Sequence, residues 1–276
     1  MKKIINIYLP VLIAFVFAAC EDVVNVKLEQ GPKQLVVDGW ITDRIIPDTI
    51  TLSTTAAYFE NQSTPKVSGA KVVLSNNEGV TEKLTEVKPG KYLVQTIKSK
   101  VGGKYTLTIE FEGENYEAKT EAMRSGLRLD SLTYEFKKKS AFIEEEGYVV
   151  KMSGQELEGK GDSYRFKIMK NGVYLKQDLR YWNDDYVDGK YLKDVEFRDQ
   201  KPFALGDKVS VETYSITKDA YHFFDEMDKQ IHNGGLFANP PANVRTNIKN
   251  VNPNSSKKAV GYFGASLVTT IEGVVK

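Results

Sequence analysis

One run of seven residues restricts what this chain can fold into. In Lys104-Tyr105-Thr106-Leu107-Thr108-Ile109-Glu110, Tyr105, Leu107 and Ile109 fall on one side of an extended backbone, and Lys104, Thr106, Thr108 and Glu110 fall on the other. An alternation of period two gives a strand one apolar face and one wet face. Wound into a helix, the same residues would scatter their apolar groups around the axis. Similar runs recur between turn clusters about every 8 to 12 residues, the spacing of a β-sandwich. They include Gln34 to Thr42, Asp48 to Thr54, Ala70 to Leu74, Thr81 to Val87 and Tyr92 to Val94. The breaks between them are Asn76-Asn77-Glu78-Gly79, Lys88-Pro89-Gly90-Lys91 and Gly102-Gly103. Glu112-Gly113-Glu114-Asn115 turns the chain into a last strand of this set, Tyr116 to Thr120.

Residues 34–123 are therefore expected to form one β-sandwich domain, and residues 124–276 a second, larger β-rich domain. The joint is placed at Met123-Arg124-Ser125-Gly126. In the second part Ser163 to Lys170 alternates, with Tyr164, Phe166 and Ile168 inward and Arg165 and Lys167 outward. Asn171-Gly172 and a strand from Val173 to Leu179 follow. Asn-Gly between strands signals a two-residue hairpin, because both central residues of a type I′ turn need positive φ. Asp188-Gly189 reads as a second such tip, and Asp207 to Ile216 as another strand. A helix near 218–232 interrupts the pattern. Thr217 can cap it, and Ala220, Phe223, Phe224, Met227 and Ile231 line up as one apolar stripe. The stripe is expected to pack on its own sheet, with a partner-docking face as the other reading. Gly234 and Gly235 can end the helix. Leu236 to Ser256, rich in Asn and Pro, reads as a long surface loop, and Ala259 to Val275 as the final strand.

The first twenty residues address a different question, where the protein resides. Lys2 and Lys3 precede a short apolar stretch, Ile4 to Phe17, and Phe17-Ala18-Ala19 leads into Cys20, the single cysteine. A charged start, a short apolar region and small residues before a cut are the layout of a secretory leader. A cysteine directly after the small pair reads as a lipid acceptor. Phe17 departs from the Leu, Val or Ile usual there, and a plain signal peptide is the competing reading. The apolar stretch is shorter than the about 18 to 20 residues of a membrane-spanning helix. Residues 1–19 are thus expected to be a lipoprotein signal peptide, and 20–33 the lipidated cysteine and a polar tether. Glu21-Asp22 resembles export signals that send some lipoproteins to the outer face of an outer membrane.

Charge and chemistry exclude much. Removing Lys2 and Lys3 from the 38 Lys and Arg leaves 36 against 37 Asp and Glu, so no basic excess points to nucleic acid. With Cys20 lipidated, no thiol is left for a disulfide, a metal or a nucleophile. The two histidines, His222 and His232, stand about 15 Å apart along a helix, too far to share a metal. There is no G-x-S-x-G elbow and no phosphate-binding glycine loop. No catalytic residue, cofactor or metal is assigned. The acidic stretch Asn183 to Gly189 fails the EF-hand pattern: with Asp184 at position 1, Tyr186 takes position 3 and Val195 position 12. It is read as a polar hairpin tip, with a looser oxygen-ligand arrangement as the other possibility.

Several stretches together resemble the Bacteroidota outer-membrane lipoproteins grouped as domain of unknown function 4249. They are the Cys20 leader, Leu35-Val36-Val37-Asp38-Gly39-Trp40-Ile41-Thr42, Val67-Ser68-Gly69-Ala70-Lys71-Val72, Gly90-Lys91-Tyr92 and Gly103 to Leu107. Phe237 to Val244 and Gly261-Tyr262-Phe263-Gly264-Ala265-Ser266 complete the set. The resemblance covers nearly the whole mature chain and rests on order and spacing. It implies an all-β protein with an Ig-like or transthyretin-like first domain. It also implies an outer membrane location through a lipid anchor and a TonB-dependent β-barrel receptor as partner. It carries no catalytic signature.

The expectation is a non-enzymatic, lipid-anchored accessory protein that helps a transporter capture or admit its substrate. A structural or adhesive surface module is the first alternative, and a degradative enzyme the second. Tyr181, Trp182, Tyr186 and Tyr191 surround the acidic stretch, and aromatic rings beside carboxylates can stack on flat ligands such as sugars. Tyr181, Trp182 and Tyr186, with Asn239 and Asn243 of the long loop, are the candidate ligand or partner contacts. Trp182 is the sharpest of them, with a place in the domain core as its competing role.

Overall fold

The alternation of the sequence becomes two stacked pairs of sheets. The computed structural model describes residues 31–56, 63–140, 145–176, 179–197, 201–234 and 242–276. The leader, Cys20, the tether up to residue 30 and Asn239 lie outside these.

The first sandwich begins with β1 (Leu35–Thr42), β2 (Asp48–Thr54), β3 (Lys71–Asn76), β4 (Thr81–Lys83) and β5 (Thr85–Lys88). β6 (Lys91–Val94), β7 (Lys104–Phe111) and β8 (Glu114–Glu121) follow. The strand expected from Thr81 to Val87 is thus two strands. They lie in different sheets, β4 beside β3 and β5 beside β6, with buried Leu84 between them. Tyr105, Leu107 and Ile109 are buried, as the alternation requires, and Glu112-Gly113 forms a two-residue turn with φ of 49° and 75°.

The second sandwich has one sheet of β9 (Leu127–Lys137), β10 (Gly147–Glu156) and β14 (Tyr191–Glu196). The other holds β11 (Ser163–Lys170), β12 (Val173–Tyr174), β13 (Arg180–Asn183), β15 (Lys208–Ile216) and β18 (Val268–Val274). Asn171 and Gly172, with φ of 51° and 79°, form the expected two-residue hairpin. The strand expected to run to Leu179 stops at Tyr174. Asp188-Gly189 is not a hairpin tip: β13 pairs with β11 while β14 pairs with β10, so residues 184–190 cross between sheets.

The division at residue 124 does not separate the two sandwiches cleanly, because the C-terminal part of the chain returns to the first one. β16 (Ile248–Asn250), inside the expected surface loop, pairs with β8. The expected single strand from Ala259 to Val275 is two. β17 (Ala259–Ser266) runs parallel to β1 with Leu35 opposite Ala259 and Thr42 opposite Ser266, while β18 pairs with β15. Leu267 is the switch between them, and its N–H donates to Ser215 Oγ. Ile248, Ala259, Phe263 and Ala265 are accordingly buried in the core of the first sandwich. The expected joint is pinned as well. Arg124 donates to Asp162 and to the carbonyls of Leu157, Glu158 and Gly159, and Ser215 Oγ donates to the Met123 carbonyl. Lys33–Lys276 make one compact unit.

The single helix among the described residues, α1 (Lys218–Ile231), covers the seam. Thr217 Oγ1 accepts from the Ala220 N–H as the N-cap. The helix closes on His232 as its C-cap, before Gly234, with the His232 N–H bonded back to the Asp228 carbonyl. Ala220, Phe223 and Phe224 are buried and Met227 is half-buried, but Ile231 is 64% exposed, so the apolar stripe reaches its sheet for only about two turns. Beneath it lie Trp40 of β1, Tyr214 and Ile216 of β15 and Tyr262 of β17. Arg165 and Lys167, expected to face outward, turn instead into this seam. The Arg165 guanidinium sits 4.6 Å over the Phe224 ring and the Lys167 ammonium 4.4 Å over the Tyr214 ring.

Candidate functional site

A cleft of about 510 Å³ opens where α1, β13 and the end of β14 meet. Each element contributes through its own periodicity. Along α1 the residues at i, i+4, i+7 and i+11 are Tyr221, Asp225, Asp228 and His232, a polar stripe beside the apolar one. β13 supplies Arg180, Tyr181 and Trp182, and the other wall is Glu196 and Phe197.

Tyr181 and Trp182 project to opposite faces of β13, as successive strand residues must. The Tyr181 ring meets Tyr221 edge-on at 5.4 Å, and its hydroxyl stands 3.3 Å from both Asp225 Oδ1 and Asp228 Oδ2. Burial, then the charges of Asp228 and Asp225, hold its pKa above the ordinary tyrosine value. Trp182 turns toward the second core. It packs edge-on to Phe166 at 5.0 Å and stacks on Phe197 at 5.8 Å, leaving part of the indole on the cleft. Its core role and its surface role are two parts of one ring.

Two of the three carboxylates of the cleft are matched by lysine cations. Lys229 Nζ lies 2.6 Å from Asp225, and Lys137 Nζ lies 2.6 Å from Glu196. His232 Nδ1 lies 3.3 Å from Asp228 Oδ1. Hydrogen bonding to Asp225 raises the pKa of Lys229, which keeps that pair charged. Below the cleft, Arg245 grips Glu226 and Asp219 and fixes the helix from its other side.

The other expected contacts lie elsewhere. Tyr186 is 87% exposed on the 184–190 crossing, away from the cleft lining, and Tyr191 is exposed with its hydroxyl on Asp130. Asn243 is exposed on the chain leading to β16. His222 packs against Tyr221 rather than lining the cleft.

Asp184 is not part of a polar hairpin tip. It is 1% exposed, and its oxygens lie with those of buried Glu156 and Asp162 within 4.8 Å of one another, a donor set that could hold a cation. The protein meets these oxygens itself. Asp184 accepts from the N–H groups of Gly161 and Asp162, and Glu156 accepts from Tyr164 Oη and the Gly189 N–H. Asp162 is paired with Arg124 at 2.7 Å. Glu156 and Asp162 carried no signal in the sequence, since they stand far from the acidic stretch and join it only when β10 and β11 come together.

Two strands that flank Trp40 and Phe263, Leu35–Thr42 and Ala259–Ser266, thus lie side by side although they come from opposite ends of the sequence, and the family comparison spans both. Residues 21–272 match the model described as Domain of unknown function (DUF4249). The chain belongs to the DUF4249 family. No curated protein matches it. Within this DUF4249 chain, the matched span contains the first sandwich, the second up to the middle of β18, α1 and the whole of the cleft. No described helix of the DUF4249 chain is long and apolar enough to cross a membrane.

Proposed function

We propose that this DUF4249 protein is a non-enzymatic, lipid-anchored accessory protein of an outer membrane, which works beside a TonB-dependent transporter and helps to capture its substrate. The observation that carries the reading is the cleft. Tyr181, Tyr221 and the indole edge of Trp182 share its walls with Asp225, Asp228, Glu196 and Arg180. Aromatic rings beside convergent carboxylates and an arginine can stack on a small polar molecule and hydrogen-bond its rim. Strands and a capped helix hold these groups, so the cleft is preformed. The Phe17-Ala18-Ala19-Cys20 sequence supports anchoring, since acyl chains on Cys20 would contribute about 0.8 kcal/mol per buried CH₂.

Detergent extraction of the full chain from its own membrane tests the reading. Co-purification of a large β-barrel, together with release or failed processing of Cys20→Ser, is the expected result. Binding to surfaces or polymers with no barrel partner would assign the protein to adhesion instead, and turnover that dies with His222 or His232 would make it an enzyme.

A further inference from the structure

We propose that the cleft between α1 and β13 takes a neutral, hydroxyl-rich ligand, a saccharide whose ring lies against Tyr181 and Tyr221 and whose hydroxyls bond Asp225 and Asp228. The inference rests on the substrate-capture reading above and names the class of substrate.

The size fits: about 510 Å³ lies within the roughly 300–1,000 Å³ of small-molecule sites. The hydrogen-bonding inventory asks for donors. One phenolic hydroxyl has one proton, yet Tyr181 Oη stands 3.3 Å from each of two carboxylates. It can donate to only one at a time. A carboxylate accepts about four hydrogen bonds, so Asp225 and Asp228 keep acceptor capacity after Lys229 and His232 are counted. Both side chains are partly exposed, at 26% and 30%, so a ligand can reach them.

Charge decides among donor-rich ligands. An organic cation would suit aromatic rings beside unpaired carboxylates. Here Asp225 is matched by Lys229 and Glu196 by Lys137, Asp228 is within reach of the Tyr181 hydroxyl, and Arg180 adds a positive charge to the lining. A cation would have to displace these partners, and an anion would meet three carboxylates. A polyol disturbs none of the pairs and uses the lone pairs they leave. Its C–H faces pack on aromatic rings, which are the apolar surface the cleft provides.

Saturation-transfer NMR and calorimetry on the full chain provide the test. The probes are neutral gluco-, xylo-, manno- and N-acetylglucosamine trisaccharides, with choline and citrate as charged controls. At least one trisaccharide is expected to bind, and neither control. Asp225→Asn with Asp228→Asn should weaken that binding at least about tenfold at an unchanged melting temperature, and Tyr221→Leu should do the same. Binding of choline or citrate in place of the sugars, silence from every sugar, or sugar binding untouched by these variants overturns the proposal. Because the measurement needs no barrel, its failure with barrel co-purification intact refutes only the ligand class. Sugar binding without a barrel partner would instead refute the transporter association.

Discussion

Trp40 lies across the backbone of Gly264, its directly paired neighbour on the parallel strand β17. A methyl group at position 264 would overlap the six-membered ring of the indole. The indole cannot retreat, since it is stacked on Phe224 at 5.6 Å and on Tyr262 at 5.9 Å. Gly264→Ala should therefore cost about 1–3 kcal/mol by overpacking, read as a lowered denaturation midpoint with an unchanged slope. Equal midpoints would mean that the seam repacks freely.

Lys167 gives the protein a pH dependence above neutrality. Burial, and then the charge of Arg165, pull its pKa down to about 8, and Glu212 only partly offsets this. Both Glu212 oxygens are engaged, one by Arg44 at 3.0 Å and one by Tyr214 Oη at 2.5 Å. Between about pH 7.5 and 8.5 the unfolded chain holds more protons at this lysine than the folded one, so stability rises with pH. Above that the tyrosines reverse the trend, because burial keeps Tyr164, Tyr181, Tyr214 and Tyr262 protonated in the fold while the unfolded chain ionises. Urea midpoints measured from about pH 7.5 to 8.5 should increase in the parent and lie flat in Lys167→Met.

Arg124→Ala should be among the most damaging changes at a partly exposed position. It removes the cation facing Asp162, which is buried beside Glu156 and Asp184. Breaking a buried pair by deleting one partner costs about 3–5 kcal/mol, and the exposure of the arginine points to the lower end of that range. Arg124→Lys should not rescue it, because one ammonium cannot reach the carbonyls of Leu157, Glu158 and Gly159 as well. Thermal unfolding of the two variants would decide, and a Lys variant of parental stability would refute the claim.

Trp182→Ala should lose about 2–4 kcal/mol, since the ring fills space between Phe166 and Phe197. Tyr186→Ala, at a residue 87% exposed, should stay within about 0.5 kcal/mol of the parent. Comparison of melting temperatures separates the two; a neutral Trp182→Ala would return that residue to a purely surface role.

A chain of residues 33–123 should not unfold cooperatively alone. It lacks the parallel partner of β1 and leaves the space of Phe263, a fully buried side chain, open. Adding residues 245–266 as a separate peptide should restore a cooperative β-type transition in circular dichroism. Cooperative unfolding without the peptide would show that the eight N-terminal strands suffice.

What could be read without the structure was local. Alternation placed Tyr105, Leu107, Ile109, Tyr164, Phe166 and Ile168 inward, and Asn171-Gly172 fixed a hairpin, because each signal depends only on neighbouring residues. Pairing between distant segments left no such trace. A run from Ala259 to Val275 is extended throughout, and nothing local marks Leu267 as the point where it leaves one sheet for another. The candidate site divides in the same way. The aromatic residues of β13 stood out by their clustering. The helix stripe Tyr221, Asp225, Asp228 and His232 had the right period to be found, but an apolar stripe on the same helix drew the reading toward the core. Arg165 and Lys167 looked solvated because charge after charge on one strand face normally is; only the helix and β1 lying over that face make it a seam.

The route of the chain through Leu267 also sets an order of events. β1 is among the first strands to leave a ribosome, and its parallel neighbour β17 is among the last. Until then the edge of β1 is an unpaired template for any passing strand. Closing so long a loop is slow as well as late. The first sandwich must therefore wait, half-built, for the second to be made, and a nascent chain in that state is one for a chaperone to shield.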